Sequence, residues 1–406
     1  MRWTRRLSIL AFVCLQHIAL TTGFQGQTFP AFTAAHARAQ QLRSTSHSSE
    51  LPTPAHLSIL RGGKMPGSAP SEARIVVLGT GKDDPSLSRL ELLPAAAKVV
   101  AMGASLADFE GKDDILAEAN ILMVSHTPGV SFGDLFTALA SRMPNLAWVH
   151  ARSAGIEHLV CPALLSAAAS GIPVTNAKGV FSHSLAEYAL LAAGYFAKDL
   201  PRWVSNKAKK EWDRYPVGEL RGTTMGILGY GDIGHATAHL AKAYGMKVIA
   251  SRRRPELSKD DPLVDEMVPN SDLRSLFAAS DYIVCCLPAT AETENIVNEE
   301  LLATCKPGAV FINVGRGAVV DEDALISALS SGKLRGAALD VFRTEPLPQD
   351  SPIWTLENVL LSPHNADLTG SFLHEAAPVE HFAQQGVPAF LAGLPLPNQV
   401  DPSVGY

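Results

Sequence analysis

The sequence predicts an α/β protein built from two doubly wound domains with a cleft between them, and three observations carry that prediction. Short apolar runs of strand length alternate with amphipathic segments from about residue 74 onward, a pattern that means parallel sheets covered by helices. A glycine-rich turn, Gly229-Tyr230-Gly231-Asp232-Ile233-Gly234, stands between an apolar run and a helical segment in the middle of the chain. The same alternation occurs on both sides of that turn, so one α/β unit precedes it and a second contains it. Composition agrees, since 406 residues that are 47% hydrophobic and 18% charged suffice for two cores and exclude a disordered or fibrous chain. A net charge of −6 gives no basic excess for nucleic acid.

Taken in order, residues 1–49 differ in kind from the rest. They hold Arg2, Arg5, Arg6, Arg38 and Arg43 and no acid. The first three arginines precede an apolar run, Leu7 to Leu20, that is too short for a membrane span and suits a signal-peptide core, with Thr21-Thr22-Gly23 as the cleavage region. Phe24 to Ser49 is acid-free and rich in Ser, Thr, Ala, Gln and Arg, as transit peptides are. Signal followed by transit resembles the two-part address of plastids acquired by secondary endosymbiosis; a secretory signal or a mitochondrial presequence is the alternative. No membrane association is expected once the leader is removed. Residues 50–72, rich in Pro, Gly and Ser, read as a linker.

The first unit opens with the strand Arg74–Gly79 and continues with Lys98–Met102, Ile121–Ser125, Leu146–His150 and Pro173–Asn176. A long helical stretch follows, roughly Ser184 to Trp212. The second unit has about six strand candidates, Met225–Leu228, Val248–Ala250, Tyr282–Leu287, Ala309–Val314, Ala337–Val341 and Val359–Ser362, a full doubly wound set. From Asp367 the chain returns to a helical pattern. Outside the leader, Cys161, Cys285, Cys286 and Cys305 show no C-x-x-C spacing, so they read as buried small hydrophobes, with neither a disulfide framework nor a metal site.

The glycine turn says what the second unit holds. In a G-x-G-x-x-G turn, Gly229 permits the tight turn, Gly231 lets backbone approach a pyrophosphate, and Gly234 lets the helix pack closely on the strand. Ile233, Ala236, Leu240 and Ala243 share one face of that helix, and its N-terminus offers N–H groups and a positive dipole end to phosphates. This is the arrangement of a dinucleotide site. An NAD site wants a carboxylate about 20 residues into the motif, to hold the ribose 2′-OH. Here Ser251-Arg252-Arg253-Arg254 stand in that place, with no acid before Glu256. A hydroxyl followed by guanidinium groups suits a 2′-phosphate, so NADP(H) is favoured and NAD(H) is the alternative. The bland reading is a solvated turn.

Ligands of a doubly wound sheet sit outside the carboxyl ends of its strands. Three ionisable residues fall there: Arg316 after FINVG, Glu345 after LDVF, and His364 after LLSP. Singly, each reads as a surface arginine, a proline-loop acid or a helix-capping histidine. Together, beside a dinucleotide site, they read as catalytic.

These residues also carry a resemblance. GILGYGDIG, INVGRGAVVDEDAL, ALDVFRTEPLP and SPHNA, in that order, resemble the D-isomer-specific 2-hydroxyacid dehydrogenase family. The likeness runs from about residue 74 to the end, including RSAGIEHL at 152–159, HSLAEYALL at 183–191 and the closing NQVDPSVGY. It implies two Rossmann-like domains, the dinucleotide-binding domain (182–365) inserted into a discontinuous catalytic domain (73–181 and 366–406), with helical crossings near Phe181 and Ala366 serving as hinges. Arg316 would bind the substrate carboxylate and polarise its carbonyl. His364 would give a proton to the carbonyl oxygen, with Glu345 fixing its ring. The N–H groups of Ala154 and Gly155 would hold the other side of the carboxylate. Asp340 would sit near the nicotinamide carboxamide, Cys286-Leu287-Pro288 would flank the adenosine half, and a homodimer is expected. The reaction implied interconverts a small 2-oxo acid, glyoxylate or hydroxypyruvate, with its D-2-hydroxy acid. A phosphoglycerate dehydrogenase-like enzyme and a corepressor-like dinucleotide sensor are the alternatives. Two departures stand out: Glu157 where the family often has aspartate, and the arginine cluster in place of the acid. His126, His150 and His158 read as packed or solvated residues, although His126 could line the cleft.

Overall fold

The structure, a computed structural model, describes residues 69–79, 84–125, 131–369 and 372–404. The expectations for the leader, for most of the linker and for His126 fall outside these residues. The described chain forms two sheets. The first is built from β1 (Ala73–Leu78), β2 (Ala97–Gly103), β3 (Ile121–Val124), β4 (Trp148–Ala151) and β5 (Val174–Thr175). The second comprises β6 (Thr224–Leu228), β7 (Lys247–Arg252), β8 (Glu266–Pro269), β9 (Tyr282–Cys285), β10 (Ala309–Asn313), β11 (Leu334–Leu339) and β12 (Val359–Leu361). A last strand, β13 (Gln399–Val400), returns to the first sheet and pairs antiparallel with β5.

The first sheet has six strands in the order β13-β5-β4-β3-β1-β2 and the second has seven in the order β12-β11-β10-β9-β6-β7-β8. All pairings except β13 with β5 are parallel, so each sheet must be covered on both faces. The strands show it. In β1, Val76 and Leu78 enter one core while Ala73, Ile75 and Val77 enter another. In β10, Phe311 faces one core, and Val310 and Ile312 face the other. The C-terminal segment covers the first sheet: Val379, Phe382, Val387 and Phe390 pack with Trp148. The fold is α/β with two Rossmann-like domains, and in both sheets the strand order reverses beside the first strand, the point at which such sheets bind ligands.

Three details differ from the sequence reading. β8 is a seventh strand, short and at the sheet edge, where EMVP with its charge and proline gave no strand pattern. The long helix is two helices, Ser182–Lys198 and Leu200–Lys209, because Asp199 adopts a left-handed φ of 53° and Pro201 follows. The chain at Ala366 is a turn and not a helix. Asp340 Oδ1 accepts the backbone N–H groups of Asn365 (3.0 Å) and Ala366 (3.1 Å), which ties this turn to the end of β11, and the helix that follows is Phe372–His381. The two crossings touch, since the Ser184 hydroxyl donates to the Ala366 carbonyl at 2.6 Å.

Candidate active site

The glycine turn links β6 to the helix Asp232–Ala243, and its three glycines meet three different surroundings. Gly229 has φ of 96°, and a Cβ there would lie 2.9 Å from Leu287 Cδ2. A Cβ on Gly234 would lie 2.6 Å from the Gly229 carbonyl oxygen, so helix and strand close only around glycine. A Cβ on Gly231 would meet nothing within 4 Å, and that open face precedes the helix N-terminus. A blocked turn, a blocked contact and an open backbone face are what a bound pyrophosphate requires of the three positions, so these residues fit a dinucleotide. Ile233 packs inward beneath the turn. Asp232 pairs with Lys178 of the first domain at 3.4 Å, which offsets an acid at a helix end that attracts anions. Tyr230 is buried, and its hydroxyl donates to Asp261 at 2.9 Å; burial first, then Asp261, push the phenol well above its ordinary range.

At the end of β7 the arginines and the serine part company. Ser251 is fully buried, still paired within the sheet, and its hydroxyl oxygen accepts the Gly229 N–H at 3.4 Å. It supports the glycine turn and does not reach the surface. Arg252 is bonded to the Ser258 hydroxyl, and Arg253 lies 3.9 Å from Glu292 on the exposed rim. Two guanidinium groups thus stand where the 2′-hydroxyl acid would be. Cys286, Leu287 and Pro288 form the loop after β9. That loop is pressed between Gly229 and Gly315, where a Cβ would meet the Leu287 carbonyl oxygen at 2.5 Å. Cys285 is buried, which pushes its thiol up to about 12, and burial raises Cys286 well above its usual range; neither is poised as a nucleophile. Among the described residues no cluster of His, Cys, Asp and Glu is arranged to hold a metal, and no helix is long and apolar enough to cross a membrane.

His364 and Glu345 come together. His364 Nδ1 lies 2.6 Å from Glu345 Oε2, while Glu345 Oε1 accepts the Phe342 N–H at 2.9 Å. One carboxylate therefore ties the histidine ring to the backbone after β11 and leaves Nε2 as the nitrogen facing outward from the pair. His364 holds a left-handed φ of 51°, uncommon for a side chain of its size. Asp340 imposes that conformation: its carbonyl accepts the His364 N–H at 2.8 Å. Its carboxylate accepts from Ser362 Oγ at 2.7 Å and from the two N–H groups described above. Ser362 Oγ also lies 2.9 Å from the hydroxyl of Tyr188, whose burial raises that phenol to about 12. Asp340 is 1% exposed, so its visible work is to brace the histidine loop.

Arg316 stands on the turn Gly315-Arg316-Gly317 after β10, wedged so tightly that a Cβ on Gly317 would fall 1.9 Å from the Phe342 carbonyl carbon. Phe342 is also the residue whose N–H holds Glu345, so the arginine turn and the histidine pair share one backbone support. Across the cleft, Gly155 lies against the guanidinium: a Cβ there would sit 2.1 Å from Nη2 of Arg316. The preceding residue, Ala154, is held by the Asn176 amide, which donates to its carbonyl. Glu157, two residues after Gly155, pairs with Arg316 through Nε–Oε1 at 3.0 Å and Nη2–Oε2 at 3.5 Å. In the sequence Glu157 stands out only as a departure from the family pattern, and Ser258, Asp261 and Tyr188 carry no motif signal.

An open-faced glycine turn, a paired histidine and an arginine at neighbouring strand ends define a dinucleotide-dependent dehydrogenase. Comparison places it further. Residues 190–366 match the D-isomer specific 2-hydroxyacid dehydrogenase, NAD binding domain. The chain is 38% identical over 245 residues to a glyoxylate reductase of Korarchaeum cryptofilum, covering 58% of this chain and 70% of that one. A D-isomer specific 2-hydroxyacid dehydrogenase of Xanthobacter autotrophicus, solved with NADPH and MES, superposes with a TM-score of 0.66 at 32% identity, covering 83% of this chain and all of that one. An NADPH-dependent glyoxylate/hydroxypyruvate reductase of Sinorhizobium meliloti, solved with NADP and sulfate, gives 0.65 at 28% identity over 82% of this chain. The chain belongs to the D-isomer specific 2-hydroxyacid dehydrogenase family.

Proposed function

We propose that the protein is an NADPH-dependent reductase of a small 2-oxo acid, glyoxylate or hydroxypyruvate, yielding the 2-hydroxy acid. The observation that carries this reading is the His364–Glu345 pair, 2.6 Å apart on the loops that also brace Arg316. Arg316 and the Ala154–Gly155 turn take the substrate carboxylate between them, since a guanidinium matches a carboxylate as a forked donor. The same arginine withdraws charge from the adjacent carbonyl. His364, its Nδ1 held by Glu345, gives a proton from Nε2 to the carbonyl oxygen, and the carboxylate offsets the positive charge of the doubly protonated ring. NADPH, when bound, supplies the hydride. Gly229, Gly231 and Gly234 with the helix N-terminus hold its pyrophosphate, and Arg252 and Arg253 its 2′-phosphate, in line with the NADPH complexes of the similar structures.

The domain limits we infer are 73–181 with 366–406 for substrate and 182–365 for cofactor, supported by the return of β13 to the first sheet. A homodimer is supported by the exposed apolar side chains of the segment after the first crossing, Leu191, Trp203, Val204 and Trp212. For location we propose a plastid, supported only by the composition of residues 1–49.

The variant His364→Ala tests the reading. General acid catalysis contributes about 10²–10⁴-fold, so reduction should fall at least that far while NADPH binding stays near wild type. A His364→Ala protein that turns over at the wild-type rate would remove the mechanism and leave the fold standing.

A further inference from the structure

Glu157 occupies the place that the proposed function assigns to the substrate. Its carboxylate meets the Nε–Nη2 edge of Arg316 as a fork, at 3.0 and 3.5 Å. On the other side it lies against the Ala154–Gly155 turn, with Oε2 only 2.4 Å from where a Gly155 Cβ would be. Glu157 therefore covers the Nε–Nη2 edge of Arg316 beside the Gly155 turn, and it presents the same chemistry as a 2-oxo acid, a carboxylate. The rest of the guanidinium is partly committed, because Nη1 donates to the Gly315 carbonyl at 2.9 Å. Burial on its own would raise Glu157, but the charge and hydrogen bond of Arg316 outweigh it and hold the carboxyl below its ordinary value. Glu157 is thus an ionised partner. The contact joins residues 159 apart in sequence, one on each sheet's domain, so it also holds the cleft walls together.

We propose that Glu157 is a built-in competitor for the anion site: it closes Arg316 when no substrate is present, and a 2-oxo acid binds by displacing it. The proposal rests on the assignment of Arg316 as carboxylate binder. It makes Glu157 a determinant of substrate affinity. A side chain at 155 would have to push both members of the pair aside.

The experiment is calorimetric titration of oxalate, an unreactive two-carbon dianion shaped like the substrate, into the full chain saturated with NADP⁺. Wild type, Glu157→Gln and Glu157→Asp are compared, with NADP⁺ affinity measured alongside. Exchanging a half-exposed ion pair for a ligand carboxylate is a modest effect, so Glu157→Gln should bind oxalate roughly two- to ten-fold tighter with NADP⁺ affinity unchanged. Glu157→Asp keeps the charge but is one methylene too short to span the fork, so it should move at least half of the way to the glutamine variant. An aspartate variant identical to wild type beside a tighter glutamine variant would mean a distant field and not occupation of the site, which overturns the proposal. So would weaker or unchanged oxalate binding in Glu157→Gln. Failure of all three proteins to bind oxalate would remove the anion site itself along with it.

Discussion

Two histidines in this molecule face opposite physical fates. His364 is half exposed, carries a carboxylate 2.6 Å from Nδ1, and is held in a left-handed backbone conformation by Asp340. His150, near the end of β4, is 2% exposed and has only a hydroxyl partner, Thr175 Oγ1 at 2.8 Å. Among the described residues its buried Nε2 has no hydrogen-bond partner, and its ring packs on Trp148 and Phe382. Burial, followed by the nearby charges of His381 and Arg152, pushes it down to about 3. On the proposed mechanism the same side chain carries a proton where a carboxylate and solvent reach it, and it is a neutral core residue where neither does. Strand-end position alone does not make a histidine catalytic.

Removing the carboxylate should break the contrast. Glu345→Gln keeps the size and shape of the partner but not its charge. Loss of a charge-assisted bond costs roughly 1.5–3 kcal/mol, or about ten- to hundred-fold in turnover. Steady-state reduction at saturating NADPH reads this directly, and an unchanged rate would mean that His364 needs no partner. The effect of Glu157→Gln on oxalate should be smaller and opposite in sign. One glutamate serves a histidine within its own domain; the other opposes ligand at an arginine across the cleft.

The buried histidine sharpens the contrast through stability instead of activity. A folded-state value near 3 lies far below that of a free imidazole, so between about pH 6.5 and 3 the unfolded chain takes up a proton that the native core refuses. Stability must fall as pH falls through that window, by about 1.4 kcal/mol per unit for a single proton. His381, also lowered by burial, adds in the same direction. Urea unfolding at pH 6.5 and pH 5 should show about 2 kcal/mol less acid loss in His150→Gln than in wild type. Equal losses would place the acid sensitivity elsewhere.

Much of this was legible in the chain because it is local. The three glycines act within six positions, and each meets an obstacle or an opening that the motif implies. His364 and Glu345 are only 19 residues apart at adjacent strand ends, so α/β alternation suffices to bring them together. The misreadings have physical causes. Ser251 reads from the sequence as a hydroxyl for the 2′-phosphate because the apolar run ends at Ala250, yet β7 runs to Arg252 and buries the serine. The Ala366 crossing looked helical because nothing local reveals that Asp340, far back in sequence, captures its N–H groups. The Glu157–Arg316 pair depends on how two domains meet, and a single chain carries no local signal for that.

The central claim is most directly tested by the wild-type protein with a set of small 2-oxo acids, glyoxylate and hydroxypyruvate among them, assayed with NADPH and with NADH. Reduction should be seen with at least one of these acids. The arginines should make kcat/KM for NADPH about ten-fold or more higher than for NADH, the value of one charge-assisted phosphate contact. Tight NADPH binding with no turnover of any 2-oxo acid would contradict the assignment as an enzyme, and a preference for NADH would contradict the reading of Arg252 and Arg253.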